Sequence, residues 1–199
     1  KLVFAFGFTG FFGLVIENVV QRNGGQMIGD NPVPVAWALL IGGILFLAIE
    51  KWLKKKSQEE TKIREAAHIT WVIALAFGIA QLVAAVFPGA SRSGTTILAG
   101  LLLGMSRPLA VEFSFLLGVP TLLAAGGYKM AQASPEVLTG LWANLLLGTL
   151  VSAVTAFITV KWLLKYLQSH TFIAFGWYRI VLGTTILIAA TLGWLGKTP

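Results

Sequence analysis

The chain of 199 residues contains no cysteine. That removes disulfide frameworks, thiolate metal sites and any phosphatase chemistry built on a cysteine nucleophile. Charge is scarce too: Asp, Glu, Lys and Arg make up 12% of the residues against 56% hydrophobic, where a soluble domain carries about 25% and about 45–50%. Too few polar side chains remain to cover a water-facing surface of this size. A cytosolic enzyme, a disordered tail and a coiled coil are excluded, and a polytopic membrane protein is indicated. Acidic residues number 8 against 15 lysines and arginines, a net charge of +7. In so apolar a chain that excess belongs to cytoplasmic loops rather than to a nucleic-acid surface. The sequential regions of a signal peptide are absent as well, and Lys1 runs directly into apolar residues. The expectation is a chain that continues upstream of Lys1.

What is present is a series of long apolar runs. A membrane helix needs about 20 such residues, and candidates lie at 2–20, 35–53, 69–87, 109–131, 138–164 and 172–195. A shorter run, 95–105, reaches about half-way across a bilayer at roughly 1.5 Å per residue. Lys51, Lys54, Lys55, Lys56, Lys62 and Arg64 place 51–65 in the cytoplasm, and Glu59, Glu60 and Glu65 among them count little in that rule. Lys161 and Lys165 mark a second cytoplasmic end. The loop 21–34, with Gly24, Gly25, Asp30, Pro32 and Pro34, then lies outside. For 109–131 to start in the cytoplasm, beside Arg107, the runs 69–87 and 95–105 must together enter and leave on that side. They form a re-entrant helix-loop-helix with its turn, 88–94, at membrane depth. Irregular backbone survives there only inside protein or against a wet cavity. The fold expected is an all-α polytopic membrane domain over 1–199, with five transmembrane helices and one re-entrant hairpin.

The turn reads Pro-Gly-Ala-Ser-Arg-Ser-Gly-Thr-Thr over 88–96. Pro88 stops the preceding helix, while Gly89 and Gly94 permit positive φ. Ser91, Ser93, Thr95 and Thr96 supply hydroxyls, and Arg92 supplies a permanent cation. Ser93 or Thr95 is placed to cap the next helix, whose first amides carry partial positive charge. Flexed amides, a helix N-terminus, hydroxyls and a guanidinium together suit an oxyanion such as phosphate. An arginine at membrane depth costs at least about 2.5 kcal/mol and marks a functional site by default. The spacing of Gly89 and Gly94 imitates a P-loop, but Thr95 stands where that motif needs lysine, and a helix-length run precedes it rather than a strand. The bland alternative, a snorkelling arginine and packing glycines, leaves four hydroxyls in one loop unexplained.

These residues, followed by Gly104-Met-Ser-Arg107 and by Val-Glu-Phe-Ser-Phe-Leu-Leu over 111–117, resemble the undecaprenyl-diphosphate phosphatase family, the bacitracin-resistance proteins. The resemblance extends along essentially the whole chain, through Gly42-Gly43 and the pattern of Phe172, Phe175, Tyr178 and Arg179. It implies an inverted-repeat fold with two re-entrant hairpins meeting in mid-membrane. In those terms 1–66 is the remainder of the first repeat with a cytoplasmic loop, and 67–199 is the second repeat. It implies hydrolysis of undecaprenyl diphosphate to undecaprenyl phosphate and inorganic phosphate at the bacterial inner membrane, recycling the lipid carrier of peptidoglycan synthesis. Ser91, Arg92 and Thr96 become diphosphate ligands, with Gly89, Ser93, Gly94 and Thr95 shaping the cradle. The family's other half-site, Glu-x-x-x-Glu and then Ser-Ser-x-Gly-His, does not occur in this sequence. The expectation is that it precedes Lys1, with most ligands of a divalent cation, magnesium or calcium. A homodimer is compatible with this expectation.

Other polar residues have two readings each. Gln81 stands two turns before Pro88, where the family's pseudo-symmetry would put a first-repeat glutamate. It either bonds to the substrate site or holds helices together. Glu112 either orients Arg92 or Arg107 or contributes to a metal site, or forms an interfacial pair with Arg107. Glu17 reads as interfacial, and His68 and His170 lie at membrane ends away from the turn. Gly100, Gly104, Gly126 and Gly127, with a kink at Pro120, read as packing features. The seven tryptophans fall mainly near helix ends, as an aromatic belt does, and nothing supports a nucleic-acid partner. A carrier of an anionic prenyl-phosphate lipid would use the same cradle without cleaving a bond.

Overall fold

The computed structural model describes residues 1–22, 32–56, 63–132 and 135–194. Seven α-helices run through them: α1 (Leu2–Arg22), α2 (Pro32–Lys56), α3 (Trp71–Val86), α4 (Arg92–Leu102), α5 (Arg107–Gln132), α6 (Pro135–Ser169) and α7 (Ile173–Thr191), with a 3-10 turn at Ala66–His68. The proposed outer loop falls mostly outside the described residues, as do Lys62, Glu59, Glu60 and the side chains of Lys56 and Glu17. α2 begins at Pro32, three residues ahead of expectation, because proline has no amide to leave unbonded in a first helical turn. Thr70 caps α3 by accepting the Ile73 amide at 3.3 Å.

Among the described residues four helices, α2, α5, α6 and α7, are long and apolar enough to cross a membrane, and the chain is a polytopic membrane protein. The fifth expected span, α1, has 21 helical residues, with a shorter apolar stretch over Leu2–Ile16. α3 and α4 are shorter still, about 24 and 16 Å at 1.5 Å per residue. They form an antiparallel hairpin. Ile63, ahead of α3, donates to the Gly104 carbonyl and accepts from the Ser106 amide, both at 2.9 Å, so the end of α4 returns to the segment leading into α3.

The basic residues gather at that same end. Glu50, buried near the end of α2, accepts from the Arg107 Nε at 2.8 Å and from the Phe172 amide at 3.0 Å, tying together α2, the start of α5 and the entry to α7. Arg107 completes the pair through Nη2. The expected partner of Arg107, Glu112, is thus corrected. Residues five apart do not share a helix face, and Glu112 is exposed while Glu50 is buried against the guanidinium.

The tightest core lies where the hairpin meets α5. Phe77, Leu101, Val111 and Leu117 are fully buried there, and the Phe77 and Phe113 rings meet edge-on at 4.8 Å. Lipid tails are as apolar as these side chains, so close approach rather than water exclusion holds such helices together. A Cβ on Gly100 would stand 3.0 Å from Phe77 and 3.1 Å from Ala110, which bears out its packing role. Gly104, Gly126 and Gly127 do not follow: a Cβ there meets nothing within 4 Å among the described residues. Gly104 serves the chain reversal instead, at φ +84. α2 and α7 are drawn equally close, because a Cβ on Gly43 would lie 2.7 Å from the Gly176 carbonyl. In contrast, α6 is exposed from Leu141 to Thr159.

Candidate active site

The turn between α3 and α4 is built by the residues the sequence singles out. α3 ends at Val86, ahead of Pro88. Gly89 takes φ +89 and presses on α2, where a Cβ would stand 2.6 Å from the Val35 carbonyl. Ser91 has φ +67, the one positive value at a non-glycine position among the described residues. Such strain persists where surrounding bonds over-determine it, and it concentrates at functional sites.

Ser91 is the cap of α4, accepting the Gly94 amide on its Oγ at 3.2 Å and the Thr95 amide on its carbonyl at 2.9 Å. This corrects the expectation of Ser93 or Thr95 as cap. Helix formation begins at Arg92 rather than Thr95, because the positive φ of Ser91 turns the chain three residues sooner. The consequence is chemical. Arg92 and Ser93 occupy the first two helical positions, and their amides have no partner among the described residues. The Ser91 and Ser93 hydroxyls stand 3.5 Å apart beside them.

Thr95 and Thr96 face inward. The Thr95 hydroxyl reaches the Ala80 carbonyl on α3 at 3.0 Å, and also lies against the carbonyls of Ser91 and Arg92. Thr96 is buried, 2.9 Å from the Arg92 carbonyl and 2.6 Å from the Ser114 hydroxyl on α5. Both lock the first turn of α4 against its neighbours. The Arg92 guanidinium lies in a notch at Gly118 of α5, its Cζ 2.8 Å from where a Cβ would be. It is half-buried and has no hydrogen-bond or ion-pair partner among the described residues. Among the described residues the other buried arginine heads, those of Arg107 and Arg179, are bonded, and this one is open.

Gln81 is buried and joins helices. Its Nε2 donates to Thr9 of α1 at 2.9 Å, and its Oε1 accepts from Thr121 of α5 at 3.3 Å, one turn beyond Gly118. From there an apolar groove of about 500 Å³ runs between α1, α3 and α5, lined by Phe6, Gly10, Leu14, Val86, Ala124 and Tyr128 among others. Glu112 lies elsewhere, in a second cavity with Arg64, Ser106 and Arg107 at the basic end. His68 is exposed and 3.7 Å from Glu65, and His170 stacks on Tyr166.

Three contributors have no site role from sequence: Ser114 and Arg179, which enter only within the motifs of the resemblance, and Gly118. Arg179 of α7 is buried and bonds the turn's carbonyls. The signal for it was available, since an arginine inside the apolar run 172–195 invites the depth argument applied to Arg92. Among the described residues no three of His, Cys, Asp and Glu gather as a metal ion requires. The turn offers hydroxyls, amides and a guanidinium, which are groups for an anion and not ligands for a cation. The residues present do not by themselves fit a divalent metal.

A model of the family described as "Bacitracin resistance protein BacA" matches residues 1–185. A Rhizobium etli protein named undecaprenyl-diphosphatase is 42% identical over 198 residues, 97% of this chain and 69% of that protein. Its namesake in Rhizobium leguminosarum is 40% identical over 98% of this chain and 71% of its own length. In Xanthomonas oryzae the figures are 40%, 94% and 68%. With its phosphate-suited turn carried inside a bundle of membrane helices, this chain belongs to the BacA family of bacitracin-resistance proteins.

Proposed function

We propose that this chain hydrolyses undecaprenyl diphosphate to undecaprenyl phosphate and inorganic phosphate, and that the turn 88–94 holds the diphosphate. The observation that carries the site is the unpartnered Arg92 guanidinium beside the free amides at the start of α4. Family membership and the printed name of its relatives carry the reaction. Arg92 lies level with Gly118, eleven residues and about 17 Å along α5 from Arg107. In our reading the hairpin is therefore re-entrant: it enters and leaves at the basic, cytoplasmic end and brings its turn to mid-membrane or slightly beyond. The inner membrane of a bacterium is the compartment this reading requires.

The mechanism follows from the groups present. Phosphoryl transfer is accelerated mainly by positioning and by stabilising charge on the transferring oxygens. Arg92 neutralises those oxygens, and the amides of Arg92 and Ser93 donate to them along the axis of α4. The Ser91 and Ser93 hydroxyls complete the half-shell. Thr96, through Ser114 and the Arg92 carbonyl, holds the turn in register, as Thr95 does through Ala80. The apolar groove behind Gln81 and Thr121 receives the first part of the prenyl chain. A divalent cation, magnesium or calcium, enters this proposal only with ligands from residues other than those described, and no step is derived through it. The inverted repeat belongs to the proposal on the same terms: α3 and α4 are one hairpin of the two it requires.

The test is phosphate release from a prenyl diphosphate in proteoliposomes, using the protein as its gene encodes it. Arg92→Ala should lower kcat/KM by about 10³-fold or more while the protein still elutes as a monodisperse species. Near-normal turnover overturns the site. Transbilayer movement of the lipid without phosphate release overturns hydrolysis in favour of transport.

A further inference from the structure

A second arginine approaches the turn from the side opposite α5. Arg179 extends from α7 past α2, and only a glycine lets it through: a Cβ on Gly42 would stand 2.5 Å from its Nη2 and 3.0 Å from its Cζ. Nη2 then donates to the carbonyls of Gly89 at 2.9 Å, Ala90 at 3.2 Å and Ala38 at 3.3 Å. The residue is 8% exposed, and its Nε has no partner among the described residues. No carboxylate pairs with it among the described residues. A permanent charge has thus been placed inside an apolar span to meet carbonyl dipoles alone, which is a costly way merely to join two helices.

The geometry points to a positioning role: Arg179 sets the Ala90–Ser91 peptide so that its amide joins the phosphate cradle. The argument is one of peptide geometry. In a trans peptide the carbonyl and the amide hydrogen point in opposite directions, and every peptide bond described is trans. With the Ala90 carbonyl held toward Arg179, the Ser91 N–H is directed away from it, and that amide has no partner among the described residues. The same hold fixes the positive φ of Ser91, from which α4 starts at Arg92. Three successive amides, those of Ser91, Arg92 and Ser93, are thereby free for one anion, while the carbonyls that would repel it are bound on the far side. Arg92 touches the phosphate, and Arg179 acts only through the backbone.

This inference rests on the reading of the turn as the diphosphate site, so Arg92→Ala is measured in parallel. Three variants of the protein as its gene encodes it are assayed for prenyl diphosphate hydrolysis, using only material from a monodisperse gel-filtration peak. Arg179→Met should lower kcat by about 100-fold, the cost of one misdirected oxyanion donor, with KM changed by less than about threefold. Arg179→Lys keeps a cation within reach of the carbonyls and should recover about tenfold of that loss. Gly42→Ala leaves the charge in place, pushes the guanidinium aside and should cost about tenfold in kcat. A kcat for Arg179→Met within about twofold of the parent overturns the inference. So does an equal loss in the Met and Lys variants, which is the mark of a merely structural role. If Arg179→Met does not fold, parental kcat in both Arg179→Lys and Gly42→Ala is decisive against it. Turnover retained by Arg92→Ala counts against the phosphate site itself, whatever the Arg179 variants do.

Discussion

Two helices of this molecule begin with an arginine, and the two arginines are treated in opposite ways. Arg107, at the start of α5, is held by both oxygens of buried Glu50, which also accepts the Phe172 amide. Arg92, at the start of α4, rests against the bare backbone at Gly118 and is offered no carboxylate among the described residues. Both have the positive end of a helix beside them. At the basic end the charge is spent inside the protein and fixes where three helices meet. In the turn it is left unspent. A cation in a half-buried, apolar setting is tolerable when its counter-charge arrives with a ligand; on that ground our proposal takes Arg92 as a binding group and Arg107 as a structural one.

The comparison breaks most severely at Arg92. Its replacement by alanine removes the charge we propose for the phosphate and leaves every side-chain bond among the described residues intact, so the loss of turnover described above should come without loss of fold. Glu50→Ala should do the reverse. It leaves Arg107 unpaired at a largely buried site and should cost about 3–5 kcal/mol of stability, read as a drop in the midpoint of thermal unfolding in detergent and in the yield of monodisperse protein. The molecules that do fold should retain kcat within about threefold, because no bond of Glu50 reaches the turn. A Glu50→Ala protein that is fully stable but inactive would erase the distinction.

Much of this was legible in the chain. The helical runs emerge from hydropathy alone, since a span of α5 or α7 must be apolar along most of its length. The short hairpin emerges from the sign of the flanking charges and the brevity of 95–105. What was not legible is tertiary. Glu50 and Arg107 are 57 positions apart, so no local spacing proposes that pair, although the five-residue step from Arg107 to Glu112 already counts against a shared helix face. The start of α4 was misplaced by three residues because the positive φ of Ser91 depends on what holds the turn from outside, chiefly Gly89 against Val35 and the bonds from Arg179. Gly126 and Gly127 were read as packing residues on composition, although their lateral neighbours are absent within the described residues. Arg179 shows the opposite failure. Arg92 stands among glycines and hydroxyls that point to an anion, whereas Arg179 stands in an ordinary-looking apolar helix with no such neighbours along the chain.

A subtler variant sharpens the contrast by moving Arg92 instead of deleting it. In Gly118→Ala the new methyl would fall 2.5 Å from Nη1 and 2.8 Å from Cζ. The tip of a flexible side chain can yield where a packed backbone cannot, so the bundle should keep its thermal midpoint to within about 2 °C. The guanidinium, however, must shift by about 1 Å, and a displacement of that size at a reacting centre costs about 10- to 100-fold. Measured as kcat/KM for a prenyl diphosphate, the loss should therefore fall between those of Arg92→Ala and a neutral surface change. Unaltered kinetics in Gly118→Ala would mean that the resting position of Arg92 is not the working one.

Glu112 marks the small end of the scale. It is exposed, it shares its cavity with Arg64, Ser106 and Arg107, and it stands six residues and about 9 Å along α5 from Gly118, on a different face of the helix. With Arg107 satisfied by Glu50, removing the charge of Glu112 leaves no cation newly bare, and Glu112→Gln should change kcat/KM by less than about twofold. The value of so small an effect lies in what a large one would imply. If Glu112→Gln reduced turnover as far as Arg92→Ala, the basic end would be taking part in the reaction, and the paired and unpaired arginines would have to be read as two halves of one site.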